Sequence, residues 1–199
     1  GDHRDLHSYP TRRSSDLTVF FPVLGNHERN SPHYFEFFDM KKPYYSFDWG
    51  TAHFSLLDTG IAQSEWDEQA RWFEADLERA AKADFRFVIF HHPPYTAVKR
   101  RQGDGGRPRG LVPLMEKHKV QAVFSGHDHN YQRHFQNGIH YVVTGGGGAP
   151  LYPVDAPIEG MTKKVVSTEH YVQMRVNGAA ARMEAVALDG SLIEGVEIR

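Results

Sequence analysis

The stretch Phe85-Arg86-Phe87-Val88-Ile89-Phe90-His91-His92-Pro93-Pro94-Tyr95 decides the fold class. Its first six residues are almost continuously apolar, the pattern of a strand covered on both faces, as in parallel sheets flanked by helices. Two imidazoles follow at once, and the proline pair stiffens the exit and holds the preceding backbone extended. Two other runs repeat the arrangement. Val19-Phe20-Phe21-Pro22-Val23-Leu24 leads into Gly25-Asn26-His27-Glu28, and Val120-Gln121-Ala122-Val123-Phe124 leads to Gly126-His127-Asp128-His129. Open α/β sheets carry their sites at the carboxyl ends of strands, so three such ends can converge on one edge. Imidazole and carboxamide groups gathered there point to metal-assisted hydrolysis.

Working outward, Thr18–Leu24 reads as a strand closed by Gly25, and Pro32–Met40 as a short helix or turn. Tyr44–Trp49 and Ala52–Asp58 read as a hairpin. Ser64–Lys82 is the clearest helix. Trp66, Ala70, Phe73, Leu77 and Ala81 recur on one face, and Ser64 with Asp67 resembles a capping box. Thr96–Gly110 is a polar, glycine-rich loop, and Leu111–Lys119 a short helix that tolerates Pro113 in its first turn. Tyr131–Phe135 and Ile139–Thr144 pair across Asn137-Gly138. Val165–Val176, Ala179–Leu188 and Ser191–Ile198 form a closing meander turning at Asn177-Gly178 and Asp189-Gly190. Strands mixed with helices at this spacing predict a layered α/β (α+β) fold.

The 199 residues amount to one domain, with ordinary apolar (40%) and charged (24%) content for a globular chain. A net charge of −2 gives no indication of nucleic acid as a partner, and no apolar run is long enough for a membrane span. With no cysteine, a metal must be held by N and O donors, which suits Zn, Fe or Mn; the 13 histidines lean the same way.

The three runs, in this order, resemble the later motifs of the calcineurin-like metallophosphoesterases. Gly126-His127-Asp128-His129-Asn130-Tyr131-Gln132-Arg133 and Gly145-Gly146-Gly147-Gly148 resemble the purple acid phosphatase-like branch. The resemblance covers residues 18–199 and implies a four-layer α-β-β-α sandwich of two mixed sheets. The family's opening Asp-X-His and Gly-Asp runs have no clear counterpart here, so the expected sandwich lacks its first strands. Gly1-Asp2 is either a remnant of the Gly-Asp run or chance. Residues 3–17 show no helical or strand period and no signal-peptide centre, and they resemble translated sequencing-adapter DNA. The alternative is a natural disordered arm. Residues 1–17 are therefore set apart from a phosphoesterase domain at 18–199.

The resemblance also implies roles. Asn26, His91 and His127 become ligands of one metal and His129 of the other. His27 becomes a catalytic group beside the phosphate, able to hydrogen-bond a phosphoryl oxygen or protonate the leaving group. Between His91 and His92, alternation along an extended chain puts only one toward the metal, and His91 occupies the family position. His127 and His129, two apart, are expected to project to one side. Glu28 is a weaker candidate for orienting a histidine. Tyr95 and Tyr131 are candidate substrate-binding residues. Lys99, Arg100, Arg101, Arg107 and Arg109 read as a solvated, mobile basic loop more than as an anion attractor. Gly145–Gly148 reads as close backbone packing more than as a phosphate cradle.

The function implied is hydrolysis of phosphate esters, most simply phosphomonoesters, by a metal-activated hydroxide at a dinuclear centre of the intact parent, with donors here for one nearly complete metal site. The alternatives are a phosphodiesterase acting on nucleotides or lipid head groups and a non-catalytic metal-binding fragment. The expected partner is a small phosphorylated substrate, and the purple branch leans toward an extracytoplasmic location.

Overall fold

A computed structural model describes residues 19–199. The segment set apart at the amino end, with Gly1-Asp2, lies outside the described residues. In chain order the elements are α1 (Pro32–Phe37), β1 (Tyr45–Trp49), β2 (Ala52–Leu56), α2 (Gln63–Arg79) and β3 (Phe85–Phe90). There follow α3 (Gly106–Gly110), α4 (Val112–Lys117), β4 (Ala122–Ser125), β5 (Tyr131–Gln136), β6 (Ile139–Thr144) and β7 (Thr162–Val166). Last come β8 (His170–Asn177), β9 (Ala180–Ala187) and β10 (Leu192–Ile198).

Among the described residues, seven strands form one sheet in the order β1-β2-β3-β4-β6-β5-β7, with β2, β3, β4 and β6 parallel and the others antiparallel to their neighbours. β10-β9-β8 form a second sheet. Alternation along β3 decides the layering. Val88 and Phe90 face Phe73 and Leu77 of α2 and Met115 of α4. Phe85 and Phe87 face the other way, into a cluster with Ala181, Met183, Ala185 and Ile198 of the second sheet. Both faces of β3 are therefore sealed, as its apolar run requires. The β5–β6 hairpin turns on Asn137 (φ 48°) and Gly138 (φ 83°), the left-handed pair of a type I′ turn. Among the described residues, no helix is long and apolar enough to cross a membrane.

Several expectations are corrected. The second sheet is wholly antiparallel rather than mixed among the described residues, because tight turns join its strands. The layering itself is as expected: α2 and α4 cover the outer face of the large sheet, and among the described residues the cluster between the two sheets is built from strand residues. Val19–Leu24 makes no ladder: Pro22 has no N–H to give, and side-chain contacts hold the segment. Phe21 stacks on Phe47 at 3.6 Å, and Tyr45 donates its hydroxyl hydrogen to the Pro22 carbonyl at 2.9 Å.

Val165–Val176 is two strands. β7 closes the large sheet, and the chain then crosses to start β8, a change of sheet that periodicity cannot register. At α2, Ala62 is the N-cap without a side-chain bond and Ser64 sits inside the first turn. The helix entry is tied instead by Arg107, which donates to the Ile61 carbonyl at 2.6 Å and to Gln63 Oε1 at 2.9 Å.

Candidate metal centre

β3 and β4 are parallel neighbours with Phe90 beside Ser125, so the residues after them emerge side by side. His91 and His92 leave β3, and His127 leaves β4 after Gly126. The turn at 26–30 brings Asn26 over them. Three donor atoms meet: Asn26 Oδ1 lies 2.7 Å from His91 Nε2, His91 Nε2 lies 3.1 Å from His127 Nδ1, and His127 Nδ1 lies 3.3 Å from Asn26 Oδ1. Ligands about 2.0–2.1 Å from a tetrahedral zinc ion stand about 3.3 Å apart. The two separations to His127 Nδ1 match this, whereas the Asn26–His91 pair, at hydrogen-bond distance, would open by about half an ångström to take a cation. Burial, together with the neighbouring imidazoles, lowers the pKa of His91 to about 3 and of His92 to about 4. Both rings are then neutral at ordinary pH, the form that binds metal.

His92 also joins this cluster, against the expectation that it points away. Its ring is 4.4 Å from that of His127 and 4.8 Å from that of His91. The strand ends at Phe90, and the chain bends through His91-His92, so alternation no longer applies. Thr59, after β2, locks the ring: its Oγ1 lies 2.7 Å from His92 Nδ1 and accepts the His92 backbone N–H at 3.0 Å.

Local backbone demands are severe here. A Cβ on Gly25 would sit 2.7–3.0 Å from atoms of the His91 ring, so only glycine lets the ring lie there. His127 has φ +67°, a left-handed conformation that costs a non-glycine residue about 1–3 kcal/mol and concentrates at functional sites. This turn also separates His127 from His129, which extended geometry would have placed on one side. Bonds from Asp128 N to Gly126 O and from Asn130 N to Asp128 O (2.8 Å each) coil the run. His129 instead faces Tyr152 at 4.9 Å, with Nδ1 2.9 Å from the Pro150 carbonyl. That contact makes Nδ1 the N–H and leaves the Nε2 lone pair free in the neutral ring. Asp128, wholly buried, accepts from Thr96 Oγ1 and, at 3.3 Å, from Gln132 Nε2.

The remaining candidates divide. His27 is exposed in the same turn as Asn26. Glu28 does not orient a histidine; its Oε2 accepts the Gly25 N–H at 2.7 Å and closes the turn. Tyr131 is wholly buried in the cluster between the sheets and donates to Glu194 Oε1 at 2.7 Å, so it is a core residue and not a substrate contact. Tyr95, partly buried, packs on the helix-side core, edge-on to Tyr141 at 4.9 Å.

The basic loop is largely exposed to solvent. It contains the 3-10 turn Lys99–Arg101 and α3; Arg107 and Arg109 donate to backbone carbonyls, and Arg100 lies over the Tyr152 ring at 4.4 Å. A Cβ on Gly145 would meet the Asp128 carbonyl oxygen at 2.0 Å, which is close backbone packing. Sequence reading missed Thr59 and the partner of His127, Asp104. Thr59 carries no local signal, whereas Asp104 is the lone acid in a cationic segment.

The chain thus has mixed α/β layers in which imidazoles leave the carboxyl ends of the adjacent parallel strands β3 and β4 and Asn26 joins them from a turn, a donor set that could hold a metal ion. The Calcineurin-like phosphoesterase family matches residues 3–131, well over half of the chain, and the chain belongs to that family. The match runs through the residues set apart at the amino end.

Purple acid phosphatase 21 of Arabidopsis thaliana is 33% identical over 93 residues, covering 45% of this chain and 21% of the relative. Tartrate-resistant acid phosphatase type 5 of Sus scrofa is 35% identical over 80 residues, covering 40% and 23%. The chain thus spans less than a quarter of either relative's length. Among solved structures, purple acid phosphatase PPD1 from yellow lupin (Lupinus luteus) seeds aligns at TM-score 0.71 and 22% identity, over 90% of this chain and 34% of that one. GAP50, the anchor in the inner membrane complex of Plasmodium, aligns at TM-score 0.77 and 17% identity, over 92% and 66%. At these identities the two structures speak to the fold alone.

Proposed function

We propose that this chain carries the phosphoester-hydrolysing site of a metal-dependent phosphatase that acts on phosphomonoesters outside the cytoplasm. The observation that carries the reading is the meeting of Asn26 Oδ1, His91 Nε2 and His127 Nδ1 within 3.3 Å of one another. These three hold one metal ion. His129 offers Nε2 to a second, whose other ligands are not among these residues. A bound divalent or trivalent ion supplies Lewis-acid polarisation of a phosphoryl oxygen. His27, exposed beside Asn26, donates a hydrogen bond to the phosphate or a proton to the departing alcohol oxygen. Thr59 keeps His92 against the cluster, and burial keeps His91 and His92 uncharged.

The test is a Zn²⁺ titration of the metal-free chain and its Asn26→Ala and His127→Ala variants, with p-nitrophenyl phosphate and bis(p-nitrophenyl) phosphate as substrates. Tight binding lost in both variants, with monoester turnover, supports the reading. Preference for the diester moves it to a phosphodiesterase. Metal binding with no turnover leaves a non-catalytic metal-binding module, and binding unaffected by either substitution overturns the site.

A further inference from the structure

We propose that Asp104 is a positioning residue that fixes the tautomer and orientation of the His127 ring, so that Nδ1 presents its lone pair toward Asn26 and His91. This rests on the reading that those three residues hold a metal.

The two ring nitrogens of His127 meet different partners. Nδ1 faces the other two donors, 3.1 Å from His91 Nε2 and 3.3 Å from Asn26 Oδ1. Nε2 lies 3.1 Å from Asp104 Oδ2. A carboxylate only accepts, so Nε2 must carry the hydrogen, and a neutral imidazole then has its lone pair at Nδ1. Without Asp104, the neutral ring is free to put its hydrogen on Nδ1 and donate to Asn26 Oδ1, which blocks the donor face. Histidines that ligate metals generally give their other N–H to a carboxylate or carbonyl for this reason.

Asp104 is itself held from two sides. Arg101 donates from Nη1 to the same Oδ2 at 3.3 Å, and its Nε stands 3.9 Å from Oδ1 of the buried Asp128, the residue after His127. On the other flank, a Cβ on Gly105 would meet the carbonyl oxygens of Pro93 and Pro94 at 2.7 Å, so the Gly105 backbone lies against the exit from His91-His92. The loop is therefore wedged between the two histidine-bearing turns, with its single carboxylate on the ring that adopts the strained backbone.

The experiment uses the full chain, metal-free, in two measurements: Zn²⁺ affinity by calorimetry, and the ring-nitrogen NMR pattern of His127 in ¹⁵N-histidine-labelled protein. Thermal unfolding establishes that each variant is folded. Asp104→Ala is expected to weaken Zn²⁺ binding by about 10–100-fold, the usual cost of losing such a partner, and to remove the pure Nε2–H signature of His127. Asp104→Asn keeps a carboxamide oxygen that can accept from Nε2, and should retain the signature and most of the affinity. Lys99→Ala, in the same loop but away from this contact, should match the parent. Wild-type affinity and an unchanged tautomer in Asp104→Ala, with binding abolished in His127→Ala, would overturn the proposal. If His127→Ala leaves Zn²⁺ binding intact, the metal reading fails instead, and the tautomer pattern still decides the Asp104 contact.

Discussion

His91 Nε2 lies 2.7 Å from Asn26 Oδ1, although 65 positions of chain separate the two residues. The contact joins the end of a central parallel strand to a turn that no ladder holds, so it depends on how closely that turn can approach. Gly25 sets the approach.

Gly25→Ala should therefore weaken metal binding without touching a donor atom. The added methyl would lie 2.7–3.0 Å from the His91 ring. Such overpacking typically costs about 1–3 kcal/mol, relieved here by moving the ring off Asn26. Gly103→Ala, with open space around its Cβ, is the control. A Zn²⁺ titration in which both variants match the parent would remove Gly25 from the account.

Tyr131→Phe should lower stability by about 0.5–1.5 kcal/mol, the worth of one hydrogen bond, and leave KM for a phosphomonoester unchanged. Glu194 stays paired through Arg133, whose Nε and Nη2 donate at 2.8 and 2.9 Å. Denaturant titration and steady-state kinetics check the two halves. A raised KM with unchanged stability would return Tyr131 to the substrate site.

A buried network far from the histidine cluster makes stability depend on pH. Asp76 of α2, wholly buried, accepts from Ser46 Oγ (2.6 Å), Ser55 Oγ (2.7 Å) and Arg79 Nη2 (2.5 Å), and lies 3.0 Å from His53 Nε2. Burial by itself would lower the His53 pKa, but hydrogen bonds to Asp76 and Asp48 raise it above its ordinary value. Burial would raise Asp76, but hydrogen bonds from His53, Ser46 and Ser55 lower it. The His53 contribution is complete below its unfolded value of about 6.5 and is lost as pH rises through the higher folded value. The Asp76 contribution is present above about 3.9 and is lost as pH falls through the lower folded value. Their common window lies between. The stability gap between the parent and His53→Gln should be wider near about pH 5.5 than near about pH 9, measured by denaturant unfolding. A gap that widens with rising pH would contradict the pairing.

Gly145→Ala and Gly147→Ala separate packing from phosphate binding. The first places a methyl 2.0 Å from the Asp128 carbonyl oxygen, which forces the backbone between His127 and His129 to move; the second meets nothing within 4 Å. The first should destabilise by at least about 1–3 kcal/mol and disturb Zn²⁺ binding, while the second should stay within about 0.5 kcal/mol. If both variants keep their stability and lose phosphate affinity together, the cradle reading gains over close packing.

The local pattern of the chain determined its fold class and the neighbourhood of its site. An apolar run covered on both faces at Phe85–Phe90, the helical face through Phe73 and Leu77, and turn residues at Asn137-Gly138 each specify structure within a few positions. They needed no knowledge of what lies across the core. The histidines after β3 and β4 were legible for the same reason: parallel strands deliver whatever follows them to one edge.

Only the tertiary structure decided which side chains meet. His92 turns into the cluster because the chain bends after Phe90 and Thr59, 33 positions away, captures the ring. His127 and His129 part because a left-handed residue breaks the alternation that extended backbone would keep. Tyr131 sits in the core because Glu194, 63 positions on, accepts its hydroxyl hydrogen. The break between β7 and β8 follows from which sheet offers a free edge, and Asp104 reaches His127 because Gly105 can lie against Pro93 and Pro94. Periodicity records the face a residue presents within one element; partners contributed by distant segments are set by packing, and packing has no period.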